Sequence, residues 1–207
     1  NSVAGNTVLG ESALDAAVTG TNNTAIGKEA LTALTSGQRN TAIGGNALDV
    51  TTTANDNTAV GQGSLGSNTT GDSNTAIGRA SLNANTTASN NTAVGRSALE
   101  ANTTGTQNVA VGAAALDANT TADNNIAIGH NSLGGTTTGS ANVSVGSQSL
   151  RANTSGQTNT GVGNESLLLN TTGSHNTAVG ANALDANTTA DFNTAVGYRS
   201  LSANTTG

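Results

Sequence analysis

The sequence predicts an all-β protein, a parallel β-solenoid in which each turn of the chain is one short repeat. Three observations predict it. First, the segment NTAIG at 23–27 returns at 40–44 and 74–78, and as NTAVG at 57–61 and 91–95. Its Asn falls at 6, 23, 40, 57, 74, 91, 108, 125, 142, 159, 176 and 193, and every step is 17 residues without insertion. Second, a 17-residue unit is too short for the helix pairs of about 33 to 47 residues found in helical repeat arrays. Third, register never slips. Counting coil positions from that Asn, position 1 is Asn, position 5 Gly and position 9 Leu in all twelve copies, while position 4 is always Val, Ile or Leu. Disordered low-complexity sequence has no reason to keep such register, so the coils stack.

The elements follow from the consensus N-T-A-[VI]-G-x-x-[AS]-L-x-A-N-T-T-[GA]-x-x. Helix propensity is poor across positions 1–5 and 12–15, where Asn, Thr, Gly and Val dominate. Two strands per coil are expected instead, one over positions 1–5 and one over 8–14, in two sheets. Gly at position 5 and Gly or Ala at 15 turn the corners, because Gly reaches φ > 0 at low steric cost. The candidate turn residues include Gly27, Gly44, Gly61, Gly78 and Gly95. Twelve coils at about 4.8 Å per strand spacing make a rod roughly 55–60 Å long. Residues 1–207 read as a single array. Both ends fall inside the pattern, which is the expectation for an excerpt of a longer fibre.

Composition excludes several classes. Gly contributes 27 residues, while Pro, Cys, Met and Trp contribute none, and Phe192 and Tyr198 are the only aromatics of the Phe, Trp and Tyr class. An ordinary enzyme domain depends on large aromatic and aliphatic burial, so an enzyme is not expected. The net charge of −6 offers no basic stripe for nucleic acid. No apolar run approaches the 18 or so residues of a membrane helix, so no membrane insertion is expected of this segment. Without cysteine there are no disulfides or thiolate metal sites.

The placement of charge is the most informative feature. The six basic and twelve acidic residues all fall at positions 6, 7, 10, 16 and 17. Positions 6, 7, 16 and 17 are corners. Position 10 then marks the wet face of the second strand with 12 and 14, which turns 9, 11 and 13 into the coil. Leu31, Leu48, Leu65, Leu82, Leu99 and Leu116 are accordingly the candidate core. Strand one accepts no charge on either face in any copy, so something dry is expected against its outer face: another subunit or a bound surface. Small Ala at 3 and Gly at 5 suit the space opposite Leu. That sends positions 2 and 4 outward and makes Ile26, Ile43, Val60, Ile77, Val94 and Val111 the candidate interface.

Other motifs read as ordinary. His130 and His175 lie two to three coils apart at different corners and cannot share a metal or a dyad. Gly61-Gln62-Gly63-Ser64-Leu65-Gly66 fits a dinucleotide fingerprint only superficially, since no helix is expected after it. Glu100 and Asp117 stack at position 10, but a Ca²⁺ site needs six to eight oxygens. No metal or cofactor is expected. Arg39 beside Asp56 suits an exposed ion pair, and triplets such as Asn102-Thr103-Thr104 match glycosylation sequons as a by-product of the repeat. The invariant Asn column at position 1 predicts a ladder of side-chain amides.

The motif NTAIG/NTAVG followed by a small residue and Leu, together with NSVAG at 1–5 and Asn142-Val143-Ser144-Val145-Gly146, resembles the head repeat of trimeric autotransporter adhesins (YadA-like heads). The longer NTAVGxxALxANTTG form is similar to repeats of bacterial surface proteins and phage-type fibres. The resemblance covers the whole chain. It implies a left-handed parallel β-roll in which three chains pack strand one around a common axis. It also implies an extracellular, cell-surface or phage-fibre location, and a host matrix protein or glycan as partner. The repeat departs from the family in length, 17 residues against a more usual 14 or so, and no neck, stalk or anchor is written in these residues. The expected function is a non-enzymatic structural and adhesive fibre segment. The competing expectation is an ice- or crystal-surface-binding solenoid using its charge-free Thr and Asn ladders.

Overall fold

A computed structural model describes residues 5–205; most of the NSVAG opening and the final Gly207 lie outside the described residues. Twelve three-residue strands span the described chain at coil positions 2–4: β1 (Thr7–Leu9), β2 (Thr24–Ile26), β3 (Thr41–Ile43), β4 (Thr58–Val60), β5 (Thr75–Ile77), β6 (Thr92–Val94), β7 (Val109–Val111), β8 (Ile126–Ile128), β9 (Val143–Val145), β10 (Thr160–Val162), β11 (Thr177–Val179) and β12 (Thr194–Val196). They form one sheet in sequence order, and all neighbours are parallel. Each residue pairs with its equivalent 17 positions on, as Thr41 with Thr58 and Ile43 with Val60. The protein is a β-solenoid repeat protein, all-β and without helices among the described residues.

Each strand is short because Gly at position 5 ends it. Gly44 has φ of 135°, a backbone region that side chains rarely adopt. A Cβ built there would lie 2.6 Å from both the carbonyl carbon and the oxygen of Gly61 in the next coil. The glycine column therefore stacks backbone directly on backbone, which accounts for its invariance.

The second strand does not form. Positions 6–11 run as successive turns, so the solenoid has one sheet rather than two. The residues at positions 7, 9 and 17 are left-handed: Glu29, Leu31 and Arg39 have φ of 57°, 53° and 57°. Such residues cannot lie in an extended strand. Short-range bonds reinforce the turn, as where the Leu34 N–H donates to the Leu31 carbonyl at 3.2 Å. Stacking nevertheless continues through this segment, with the N–H groups of Leu31, Ala33 and Thr35 donating to Ala47, Asp49 and Thr52 of the next coil.

This turn also changes which residues face inward. Position 12, expected on the wet face, is buried, and positions 11 and 13, expected inside, are partly exposed in most coils. The kink at left-handed Leu breaks the two-residue alternation on which that expectation rested. The buried set is positions 1, 3, 8, 9, 12 and 15. Leu31, Leu48, Leu65, Leu82, Leu99 and Leu116 have no exposed area. Left-handed backbone costs roughly 1–2 kcal/mol per residue, and full burial of a Leu side chain, worth about 1.5–3 kcal/mol, offsets it.

Half of the interior is apolar, with Leu and position-8 Ala or Ser against position-3 Ala. The other half is asparagine. At position 1, the backbone N–H of each Asn donates to the Oδ1 of the Asn one coil earlier, as Asn91 to Asn74 at 3.0 Å and Asn108 to Asn91 at 2.9 Å. Its Nδ2 donates to the carbonyl at position 15 of its own coil, as Asn74 to Ala88 at 2.8 Å. From Asn68 onward position 12 carries a second ladder, in which Asn85 Nδ2 donates to Asn68 Oδ1 at 2.8 Å and to that same Ala88 carbonyl at 3.0 Å. Thr hydroxyls at position 13 form a third, outer column, such as Thr103 to the Thr120 carbonyl at 2.9 Å.

Two predictions follow from these columns. Gly44→Ala should lower the melting temperature by several degrees, because its Cβ meets fixed backbone. Gly45→Ala should leave it unchanged or raise it slightly, since the nearest atom to that Cβ is 3.8 Å away; equal effects in thermal melting would contradict the glycine stack. The position-12 ladder also has one break. Thr136 replaces Asn, leaving the buried Asn119 Oδ1 without a hydrogen-bond partner. Thr136→Asn should satisfy it, raising stability by about 1 kcal/mol, read as a higher melting midpoint.

Candidate functional site

The sheet has one face in the core and one outside. Position-3 residues such as Ala25, Ala42, Ala59 and Ala76 have no exposed area, so positions 2 and 4 on either side must point outward. Ile26, Ile43, Val60, Ile77, Val94 and Val111 form one continuous column there, each paired in register with the next. Thr24, Thr41, Thr58, Thr75 and Thr92 form the parallel column beside it. The aliphatic side chains are half-covered by their neighbours along the column; Ile77 keeps 40% of its surface exposed and Val111 36%. The result is a flat stripe of Thr, Val and Ile about 10 Å wide, set by three residues of strand rise, running the length of the rod.

Charge stays off this face. Lys28 lies 3.8 Å from both Glu11 and Glu29 at the corner after the strand. At the other corner, Arg39 donates through Nε and Nη2 to Asp56 at 2.6 and 2.9 Å. That fork raises the guanidinium pKa and holds the Asp56 carboxyl below the usual range, hydrogen bonding being the main cause in both. The pair is exposed and contributes little to stability. Asp49 and Asp117 at position 10 are pushed up instead, chiefly by burial and further by the nearby charges of Glu29 and Glu100.

The remaining candidates disperse. His130 and His175 are both exposed. His175 stacks on Phe192, ring centres 4.9 Å apart and planes parallel to within 1°. Among the described residues no three His, Cys, Asp or Glu side chains gather as metal ligands. In the Gly61–Gly66 segment, the N–H groups of Gly61, Gly63 and Gly66 already donate to the carbonyls of Ile43, Gly45 and Gly63 at 2.7, 3.0 and 3.3 Å, so the donors a phosphate would need are taken. Asn102 of the Asn102-Thr103-Thr104 triplet is fully buried, and its Nδ2 donates to Asn85 Oδ1 and the Gly105 carbonyl. In the folded rod that nitrogen cannot carry a glycan. An open notch of about 450 Å³ lies over Gly134 and Gly135, walled by Asp117, Asn131 and Arg151; Arg151 turns from it to donate to Gln148 at 2.9 Å.

Charge counting by position marks the outer stripe as free of charge in every copy, a property it shares with the exposed Thr or Ser at position 14; what sets the stripe apart is its exposed Val and Ile. The inward Asn at position 12 was missed, since its signal depends on a left-handed Leu that no sequence rule anticipates. No family model matches the sequence, and no curated protein or solved structure is significantly similar to it. The fold and the stripe therefore define the class directly, a β-solenoid repeat protein with one charge-free sheet face.

Proposed function

We propose that this chain is a non-enzymatic structural and adhesive rod, a segment of an extracellular homotrimeric fibre of the adhesin-head kind. Three copies bring their sheet stripes together around a common axis. The charged corners stay in water, available to a host matrix protein or glycan. One observation carries this reading: half-exposed Val and Ile line a face that holds no charge in any of twelve coils, while all charge sits elsewhere. A stripe some 50 Å by 10 Å from strand spacing and rise offers roughly 500 Å², less than the ~800 Å² per partner of a standard interface, so the contact must be close and continuous along the whole rod. A second reading, ice or crystal-surface binding, draws on the flat Thr column at position 2, but Val109, Ile126 and Val143 interrupt that column.

Sedimentation equilibrium tests the proposal, with an expected mass three times the 19.9 kDa of the chain. A mass of one chain, with thermal hysteresis in ice assays, would favour the second reading. Val94→Asp sharpens the test. In a lone rod the half-exposed aspartate would meet water and cost little. In the assembly it buries a carboxylate in each copy, at several kcal/mol, so the expected result is dissociation and a sharply lower melting temperature. Thr104→Asp, on the exposed side of the coil, should change neither.

A further inference from the structure

A face made of identical repeats has a register problem. Sliding one copy along another by a single coil, about 4.8 Å, returns Thr to Thr and Val to Val, so nearly all contacts re-form. Such two-sided, uniform faces specify register weakly. A slide also prevents closure. Three copies each raised by one coil would miss by about 14 Å on returning to the first, giving an open, staggered polymer rather than a closed ring. Self-association through this stripe therefore needs a feature that breaks the repeat.

Three adjacent strands supply one. At the first outward position, nine strands carry Thr, but β7, β8 and β9 carry Val109, Ile126 and Val143. With Val111, Ile128 and Val145 at the second outward position, they form a block with no hydroxyl on its outer surface, three strands tall. Its largest side chains are open to a partner: Ile126 and Ile128 are 38% and 41% exposed. The sheet pairing through it is unbroken, Val109 to Ile126 to Val143, so the departure is in surface chemistry alone and leaves the coil intact.

We propose that this six-residue block is a register key that holds copies of the chain level, strand for strand, within the parallel arrangement around a common axis. The inference rests on the self-association reading of the stripe. Level copies bury aliphatic against aliphatic at β7–β9. A slide by one coil puts an Ile or Val against a Thr hydroxyl at each end of the block and leaves that hydroxyl without a partner, and a slide by three separates the blocks entirely. The occupant of the stripe is a second copy of this chain because the block complements only another block of the same height.

Spin labels test it, helped by the absence of native cysteine. A label on Thr70→Cys, exposed and away from the stripe, should give one narrow inter-copy distance by double electron–electron resonance. In Val109→Thr/Ile126→Thr/Val143→Thr, which installs the residue found in the other nine strands, the distribution should broaden, with components displaced by whole coils. A second variant moves the key by adding Thr58→Val, Thr75→Ile and Thr92→Val to that triple change. It should recover one narrow distance alone, and an offset of about three coils when mixed with the unshifted chain. A narrow distance that survives the triple change, or a moved key that fails to restore one, overturns the register key while leaving association intact. A single-chain mass for the unmodified protein overturns the association reading itself.

Discussion

One buried carbonyl per coil organises this molecule. Among the described residues, wherever position 12 is Asn, the oxygen at position 15 is shut away from water and accepts from two amides at once, the Asn at position 1 and the Asn at position 12. Gly71, Ala88, Gly105 and Ala122 each do so, with both bonds between 2.8 and 3.1 Å. The two amides reach it from opposite ends of the coil, so satisfying it closes the turn. In the coils with Leu34, Thr51 and Thr136, the oxygens of Gly37, Ala54 and Gly139 accept from the first amide alone. Before the last coil, the Asn oxygens, Asn119 Oδ1 excepted, then accept from the neighbouring coil, and closure within a coil becomes attachment between coils. Leaving such groups unpaired inside would cost about 1–3 kcal/mol each, which makes the asparagine columns as demanding as a packed aromatic core.

That constraint explains the odd composition. Amide ladders require coils at strand spacing along their whole circuit, so side chains elsewhere must be small enough not to hold them apart. Ala at position 3, Gly at position 5 and Gly or Ala at 15 meet that need, and Leu at 9 is the large filler that recurs in every coil, joined by Leu34 at position 12. Where serine enters at position 3 or 8 it is bonded, as at Ser132, Ser144, Ser149 and Ser166, except for Ser200 in the last coil, whose buried hydroxyl has no partner. Ser132 donates to Ser144 at 2.6 Å, and Ser149 lies 2.8 Å from Ser166. There the neighbouring position-3 residue is Gly161, whose Cβ would have met Ser149 Oγ at 2.7 Å. Stability then resides in contacts between neighbouring coils, as expected of a quasi-one-dimensional array, and the sheet's outer stripe presents exposed Val and Ile in register along the rod.

The parallel solenoid, its 17-residue coil and the Asn column at position 1 were all legible in the sequence, because periodicity and invariance survive without coordinates. The outward, charge-free Val and Ile column was legible through charge, since Lys28, Arg39 and Glu100 mark corner and turn positions and Ile26 or Val94 never shares one. The second strand was misread for a physical reason. Leu, Glu and Arg carry no sequence signature of left-handed backbone, yet Glu29, Leu31 and Arg39 all adopt it, and each shifts the alternation that follows. Asn85 and Asn102 were placed outward on that alternation. Their burial becomes visible only once the turn at Leu is known.

The central claim is that asparagine side chains, not only backbone, hold the coils together. Hydrogen exchange of side-chain amides, followed by NMR on the intact chain, tests it most directly. The Nδ2 protons of Asn74, Asn91 and Asn108, and of Asn85 and Asn102, should exchange orders of magnitude more slowly than free amides, at rates matching the backbone amides of β5, β6 and β7. Exposed amides such as Asn90 and Asn124 should exchange at solvent rates. Fast exchange at the buried columns, with the strands still protected, would contradict the account and return the stability of the rod to its backbone and leucines alone.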